Sequence, residues 1–437
     1  MTGGPWQPAG AAESSGASRR GTPGVGGWRR AMVARDRQQA HRSSTPLELL
    51  FDLCFVVAVA QAGTQLHHEL ADGAGWHALA GYLMVFFAIW WAWVNFTWFA
   101  SAYDTDDVFY RLLTLLQIAG VLVLAAGVPA ALGHFDFSIM TYGYVIMRIA
   151  MIAQWIRVAV EYPPGRSTAL RYAAGIGFCQ ICWLVRLALP QPWGYVFFLV
   201  FFVLEMLVPI WAELTGGETS WHPEHIYDRY GCFTLIVLGE CVSATTLAVQ
   251  GVVSEHGVSV SLVSLVVLAV GALLLVFGLW WAYFKHESAD VLKVSLRTSM
   301  IWAYTHYLVF SSVAALGATL SVAVETAQHG TEVGARTAAF MVALPVAVFL
   351  IAGNGLHGGL NRSFRMGQRY VVSVAALIIA LSWLAGPFGL AATVMAMAVV
   401  VAALLAVYLI GLRRAARGAL SRADQVDRQV GTDSAEG

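Results

Sequence analysis

From Pro46 to Gly411 the chain alternates between apolar runs of about twenty residues and short polar breaks. A helix rises ~1.5 Å per residue, so roughly 20 apolar residues cross the ~30 Å hydrocarbon layer of a bilayer. The runs predict helices over 46–65, 77–100, 112–131, 138–157, 170–189, 193–213, 229–249, 258–284, 298–324, 336–356, 369–385 and 388–411. Only Gly386, Pro387 and Gly389 separate the last two. The segments use the whole stretch, which leaves no room for a soluble domain. The flanks read differently: residues 1–45 are rich in Gly, Ser and Arg, residues 412–437 are polar, and both are expected to be disordered tails. The first apolar run serves as its own insertion signal in place of a cleavable one.

Composition agrees with a lipid solvent. Of 437 residues, 58% are hydrophobic and 12% charged, too little charge to solvate a soluble protein of this size. The formal net charge is zero, so nothing points to a nucleic-acid partner. The positions of the charges say more. With twelve crossings and both termini cytoplasmic, one face holds seven arginines before Pro46, then Arg111, Arg157, Arg166, Arg171, Arg229, Lys285, Lys293 and Arg297. The opposite face holds only Arg336, the distribution that the positive-inside bias demands.

A weak internal repeat is also visible. Trp90-Trp91-Ala92 precedes the acidic run Asp104 to Asp107, and Trp280-Trp281-Ala282 precedes Glu287 to Asp290. Six helices per half would start both halves on the same side. The expected architecture is therefore an all-α polytopic protein of two parallel six-helix halves, 46–213 and 214–411, an arrangement that secondary transporters use.

Ionisable side chains inside apolar segments are costly and hence are candidates for function. Glu240 lies about eleven residues into its predicted segment, ~16 Å from the start and near the midplane. That position makes it a proton-coupling candidate, or else a structural partner of Arg148. Arg148 is itself mid-segment and requires an acid, with Glu240, Asp52 or Glu205 available. Glu48 and Asp52, four apart, share one face at the start of the first helix; capping or a functional pair explains them equally well. Arg186 is close enough to a segment end to snorkel. His306 reads first as a hydrogen-bonded core histidine and second as a group that titrates near neutrality.

At the cytoplasmic rim, Asp104, Asp106 and Asp107 with Arg111 suggest a salt-bridge network. The His222-x-Glu224-His225 run lacks the helical spacing of a zinc motif, so no metal or cofactor is expected. Cys179 and Cys182 form a C-x-x-C inside a segment, where small packing residues are the simpler reading. The crowd of aromatics from Phe86 to Phe99 is partly an interfacial belt, but Trp90 and Trp91 lie deeper and pack on helices or line an apolar cavity.

Several of these strings resemble one bacterial family. Thr45-Pro46-Leu47-Glu48-Leu49-Leu50-Phe51-Asp52-Leu53 with Phe55 and Gln61 is similar to the opening signature of the low-temperature-requirement A (LtrA) proteins. Three further strings follow in the expected order: Asp104 to Asp107 with Arg111; His225-x-x-Asp228-Arg229-Tyr230-Gly231 running on to Leu238-Gly239-Glu240; and Tyr304-Thr305-His306. Asp228 departs from the glutamate expected there and keeps its charge. The resemblance implies a multi-pass protein of the bacterial cytoplasmic membrane. It favours Glu48, Asp52, Asp104, Asp106, Asp107, Arg148, Asp228, Arg229, Glu240 and His306, and carries no molecular activity. The residues themselves point first to a secondary transporter of an unknown small molecule or ion, proton-coupled if Glu240 titrates. An intramembrane enzyme acting on lipid or isoprenoid, or a non-catalytic envelope or sensory protein, is the alternative.

Overall fold

A computed structural model of the chain describes residues 28–37, 39, 42–190, 192–254, 262–285, 289–328, 331–357 and 367–433. Among these, twelve helices are long and apolar enough to cross a membrane, and there is no strand. The first six are α1 (Pro46–Ala71), α2 (Gly75–Tyr103), α3 (Val108–His134), α4 (Ser138–Glu161), α5 (Pro163–Arg186) and α6 (Trp193–Gly216). The second six are α7 (Pro223–Leu247), α8 (Leu262–Phe284), α9 (Leu296–Gln328), α10 (Ala335–Leu356), α11 (Gln368–Phe388) and α12 (Leu390–Gly411). Hydrocarbon thickness fixes their lengths, which is why the apolar runs located them. The face where α1 begins is called the near face below, and the other the far face.

α1 and α9 form the centre. α1 packs on α2, α3, α7 and α9. α9 is the most enclosed helix, with 89% of its most apolar stretch buried. Around them one order of pairings occurs twice: α1 on α3, α3 on α4, α4 on α5, α5 on α6, and then α7 on α9, α9 on α10, α10 on α11, α11 on α12; the extensive pairing of α8 with α12 has no counterpart of similar extent between α2 and α6. The tightest approach joins α3 and α4. A Cβ on Gly143 would lie 2.4 Å from the Leu124 backbone nitrogen, and one on Gly120 would lie 2.8 Å from the Gly143 carbonyl oxygen. Small residues let two backbones meet where lipid offers no hydrophobic drive between helices.

Three expectations are corrected. Helix α7 begins at Pro223, six residues before the predicted 229, because His225 to Arg229 is helical although polar. That shift places Glu240 about 26 Å from the start of the helix instead of ~16 Å. The helix that contains α12 does not end at Gly411 but runs to Asp433, since Ala, Leu, Arg and Gln sustain a helix without an apolar face. Of the tail expected to be disordered, residues 28–37, 39 and 42–45 are described and pack on the helices, with Met32 fully buried; the rest of residues 1–45 falls outside the described residues. The two Trp-Trp pairs have different surroundings: Trp90 and Trp91 are buried, whereas Trp280 and Trp281 face outward at 45% and 47% exposure.

Candidate functional site

The start of α1 is built twice over. Pro46 occupies the first turn, where its missing N–H costs nothing, and Thr45 caps it. The Thr45 hydroxyl accepts from the Glu48 amide at 3.3 Å, and Glu48 Oε2 accepts from the Thr45 amide at 2.7 Å, a reciprocal capping box. The other oxygen of Glu48 looks across to α7. Its Oε1 lies 3.2 Å from His225 Nε2 and 3.3 Å from Arg229 Nη1. The capping oxygen Oε2 also lies 3.3 Å from His225 Nε2, so one carboxylate caps its own helix and reaches α7 with both oxygens.

One turn deeper, Arg229 Nη2 donates to Asp52 Oδ1 at 2.6 Å, and the indole of Trp93 on α2 donates to the same oxygen at 2.7 Å. Glu48, Asp52, His225 and Arg229 are all 1% exposed or less. The i, i+4 spacing sets Glu48 above Asp52 on α1 and His225 above Arg229 on α7, so two rungs of a ladder meet. Both are the opening helices of the proposed halves. Asp52 Oδ2, Arg229 Nε and the buried Tyr110 hydroxyl make no hydrogen bond to another described residue.

The N-terminal segment closes this site from the near face as a strap. Arg42 is buried, donates to the carbonyls of Ser101 and Ala100, and lies 3.8 Å from Glu48 and 3.9 Å from Asp104. Arg35 pairs with Asp104 at 3.1 Å. Further along, the Arg30 amide donates to Asp107 at 2.9 Å, and Glu161 accepts from Arg29 at 2.8 Å and from the Met32 amide at 2.7 Å. Sequence reasoning missed Arg29, Arg35 and Arg42 as partners because an irregular segment has no periodicity; their only signal was density of positive charge.

The three aspartates of the rim divide their work. Asp107 caps α3 through the Tyr110 amide and receives two hydrogen bonds from Arg157. Asp106 takes a left-handed backbone with φ 48°, and its exposed carboxylate makes a two-pronged pair with Arg111 at 2.8 and 2.9 Å. Asp104, between α2 and α3, is 6% exposed. Burial and the nearby Glu48 charge push its carboxyl up to about 6, against the pull of Arg35 and Arg42. Because that lies above the ordinary 3.8, the folded chain holds this proton more tightly than the unfolded one. The stability contribution is complete below about pH 4 and is lost as pH rises through about 6. The thermal midpoint in detergent should therefore be higher at pH 5 than at pH 7.5, and Asp104→Asn should shrink the difference. An undiminished difference in that variant would assign it to another group.

Arg148 finds Glu205, not Glu240 or Asp52. Its Nη2 lies 3.2 Å from Glu205 Oε2, which also accepts from Tyr144 at 2.6 Å. Glu205 Oε1 accepts from Trp183 at 3.1 Å and Gln180 at 3.2 Å. This pair sits among α4, α5 and α6, inside the first half. Glu240 is half-buried on a groove of about 290 Å³ shared with His67, His68 and Ser321. Arg148 therefore cannot be its counter-ion in this conformation. His306 is a core residue: Nε2 meets the Tyr283 hydroxyl at 3.0 Å and Nδ1 meets the Trp302 carbonyl at 2.8 Å. Asp228 is exposed and stays outside the ladder. Among the described residues, no three His, Cys, Asp or Glu side chains converge as metal ligands would.

Residues 43–408 match the family described as Bacterial low temperature requirement A protein (LtrA). A curated relative, an uncharacterized protein of Rhizobium meliloti (strain 1021), is 26% identical over 219 residues, which cover 48% of this chain and 52% of that protein. The match thus spans about half the length of the curated relative.

Proposed function

We propose that the chain, which belongs to the bacterial low temperature requirement A (LtrA) family, is a secondary transporter whose two six-helix halves are coupled through the Glu48–Asp52–Arg229 ladder. The observation that carries this reading is an ion-pair ladder between α1 and α7, almost wholly buried. Neutralising one member of a buried pair strands the other, so protonation of either carboxylate would favour a second arrangement of α1 and α7. The recurrence of helix pairings supports two parallel halves, and transporters of that design hold their sites at the interface of the repeats.

In this reading the proton is taken by Asp52 or Glu48. Protonation removes the charge that holds Arg229, and the near-face contact between α1 and α7 loosens. The strap opens in the same step, since Arg42 bridges Glu48 and Asp104. Glu240, on its groove with His67 and His68 toward the far face, is the second proton-carrying candidate.

Purified protein in liposomes on a solid-supported membrane tests the proposal. Proton gradients, with and without a panel of small metabolites and ions, should evoke a current in the wild type. Asp52→Asn should reduce it at least tenfold. Equal currents in both proteins would remove Asp52 from the coupling step. Silence of the wild type across the panel, with Asp52→Asn merely less stable, would overturn transport in favour of a structural ladder.

A further inference from the structure

Another buried carboxylate lies off the ladder, and among the described residues no cation pairs with it. Glu213 near the end of α6 is 3% exposed. It accepts from the Tyr172 hydroxyl at 2.9 Å, the Thr219 amide at 2.7 Å and the Thr219 hydroxyl at 2.7 Å. All three donors are neutral. Among the described residues no Lys, Arg or His makes an ion pair with it, unlike Glu48, Asp52, Asp107 and Glu205. A buried carboxylate held by neutral donors still lacks a compensating positive charge.

Glu213 lines a small cavity of about 30 Å³, and five of the eleven other residues in its wall are aromatic. Trp98, Trp155, Tyr172 and Tyr304 surround it, with Asn95 as a polar neighbour. The walls are rigidly set. Trp155 and Tyr172 stack at 4.1 Å and 3°, and Tyr304 donates to the Met206 carbonyl at 2.9 Å. Asn95 spends its amide N–H on the Trp91 carbonyl, which leaves its oxygen as the acceptor it can offer. Pro209, also in the wall, has no N–H for the carbonyl of Glu205, so α6 carries a weakened turn at this point.

We infer that this cavity is the substrate site and that it takes a small alkylammonium ion. Aromatic faces attract a cation through their ring quadrupoles, and a desolvated contact is worth ~2 kcal/mol or more. A metal cation would need oxygen ligands on every side, whereas here one carboxylate, one amide oxygen and hydroxyls whose protons are already donated lie among aromatic and apolar side chains. An ammonium group donates to the former and rests on the latter. The size sets the scale: a single water needs ~10–15 Å³ in the same measure, so about 30 Å³ admits two heavy atoms, as in methylammonium.

The inference rests on the transport reading and deepens it. The cavity lies where α2, α4, α5 and α6 of the first half meet α9 of the second. Trp98, in its wall, donates through its indole to the Tyr230 hydroxyl at 3.1 Å. Tyr230 follows Arg229 on α7, so a ligand that moves Trp98 acts directly on the ladder.

Equilibrium binding of radiolabelled methylammonium to the purified full-length protein tests the assignment apart from transport. Saturable binding is expected in the wild type, displaced by excess unlabelled methylammonium but by neither potassium nor tetramethylammonium. Glu213→Gln should weaken it at least tenfold. Ala303→Val, which narrows the cavity from α9 and leaves Glu213 intact, should do the same and guards against misfolding of the first variant. Absence of saturable binding, displacement by potassium, or undiminished binding in Ala303→Val would overturn the site. Asp52→Asn should keep binding, so that lost current with binding intact reports on the ladder alone.

Discussion

Replacing Arg229 by methionine should destabilise the protein by about 3–5 kcal/mol, the cost of stranding a buried charge whose partner has been removed. The substitution keeps much of the volume and apolar stem, so the loss isolates the guanidinium. It leaves Asp52 with one hydrogen bond, from Trp93, and Glu48 with a histidine and the more distant Arg42. The combination Arg229→Met with Asp52→Asn should recover more than half of the loss, because the stranded charge is gone. Thermal and denaturant unfolding of the detergent-solubilised variants measures both. If Arg229→Met alone is within 1 kcal/mol of wild type, the carboxylates carry protons and no ion pair exists.

Gly143→Val should be nearly as severe, at about 3 kcal/mol, and for a steric reason. Its side chain would run into the backbone of α3 at Leu124 and Gly120, which cannot rotate away as a flexible side chain can. α3 and α4 would separate along their whole contact, pulling Arg157 from Asp107 at one end. Gly355→Val, at a helical glycine with nothing within 4 Å of its added carbon, is the matched control and should change stability little. A loss of equal size in both would trace the effect to valine in a helix rather than to the close approach. Expression and unfolding in the same detergent distinguish the outcomes.

Much of the fold was legible because lipid imposes a length and a composition on anything that crosses it. Each of the twelve apolar runs became a helix, and most ends moved by only a few residues. The first end of α7 was hidden because its opening turns, Glu224 to Arg229, are polar yet helical. Glu48 and Asp52 could be placed on one face from their spacing, and their string was recognisable. That Arg229 would face them depended on how α7 packs against α1, which no local pattern encodes. Arg148 shows the same limit. Three acids were within reason, and Glu205 is its partner because Tyr144, Trp183 and Gln180 gather there from two helices. Glu213 drew no notice, since a glutamate near a predicted helix end reads as a solvated residue. Its burial comes from Thr219 and Tyr172 folding over it.

The strap has a consequence in time. Residues 28–45 are synthesised before α1, yet the carboxylates on which the described part of this segment docks come later: Asp104 and Asp107 after α2, Glu161 at the end of α4. At ~5–20 residues per second, the basic arm waits on the order of ten seconds for Glu161. During that interval its arginines are free for anionic lipid headgroups, which hold such segments at about 1 kcal/mol per charge. Seating the strap is then an exchange of lipid for protein partners, completed only after four helices stand in the membrane. A nascent chain halted before Glu161 would keep its first arm on the bilayer.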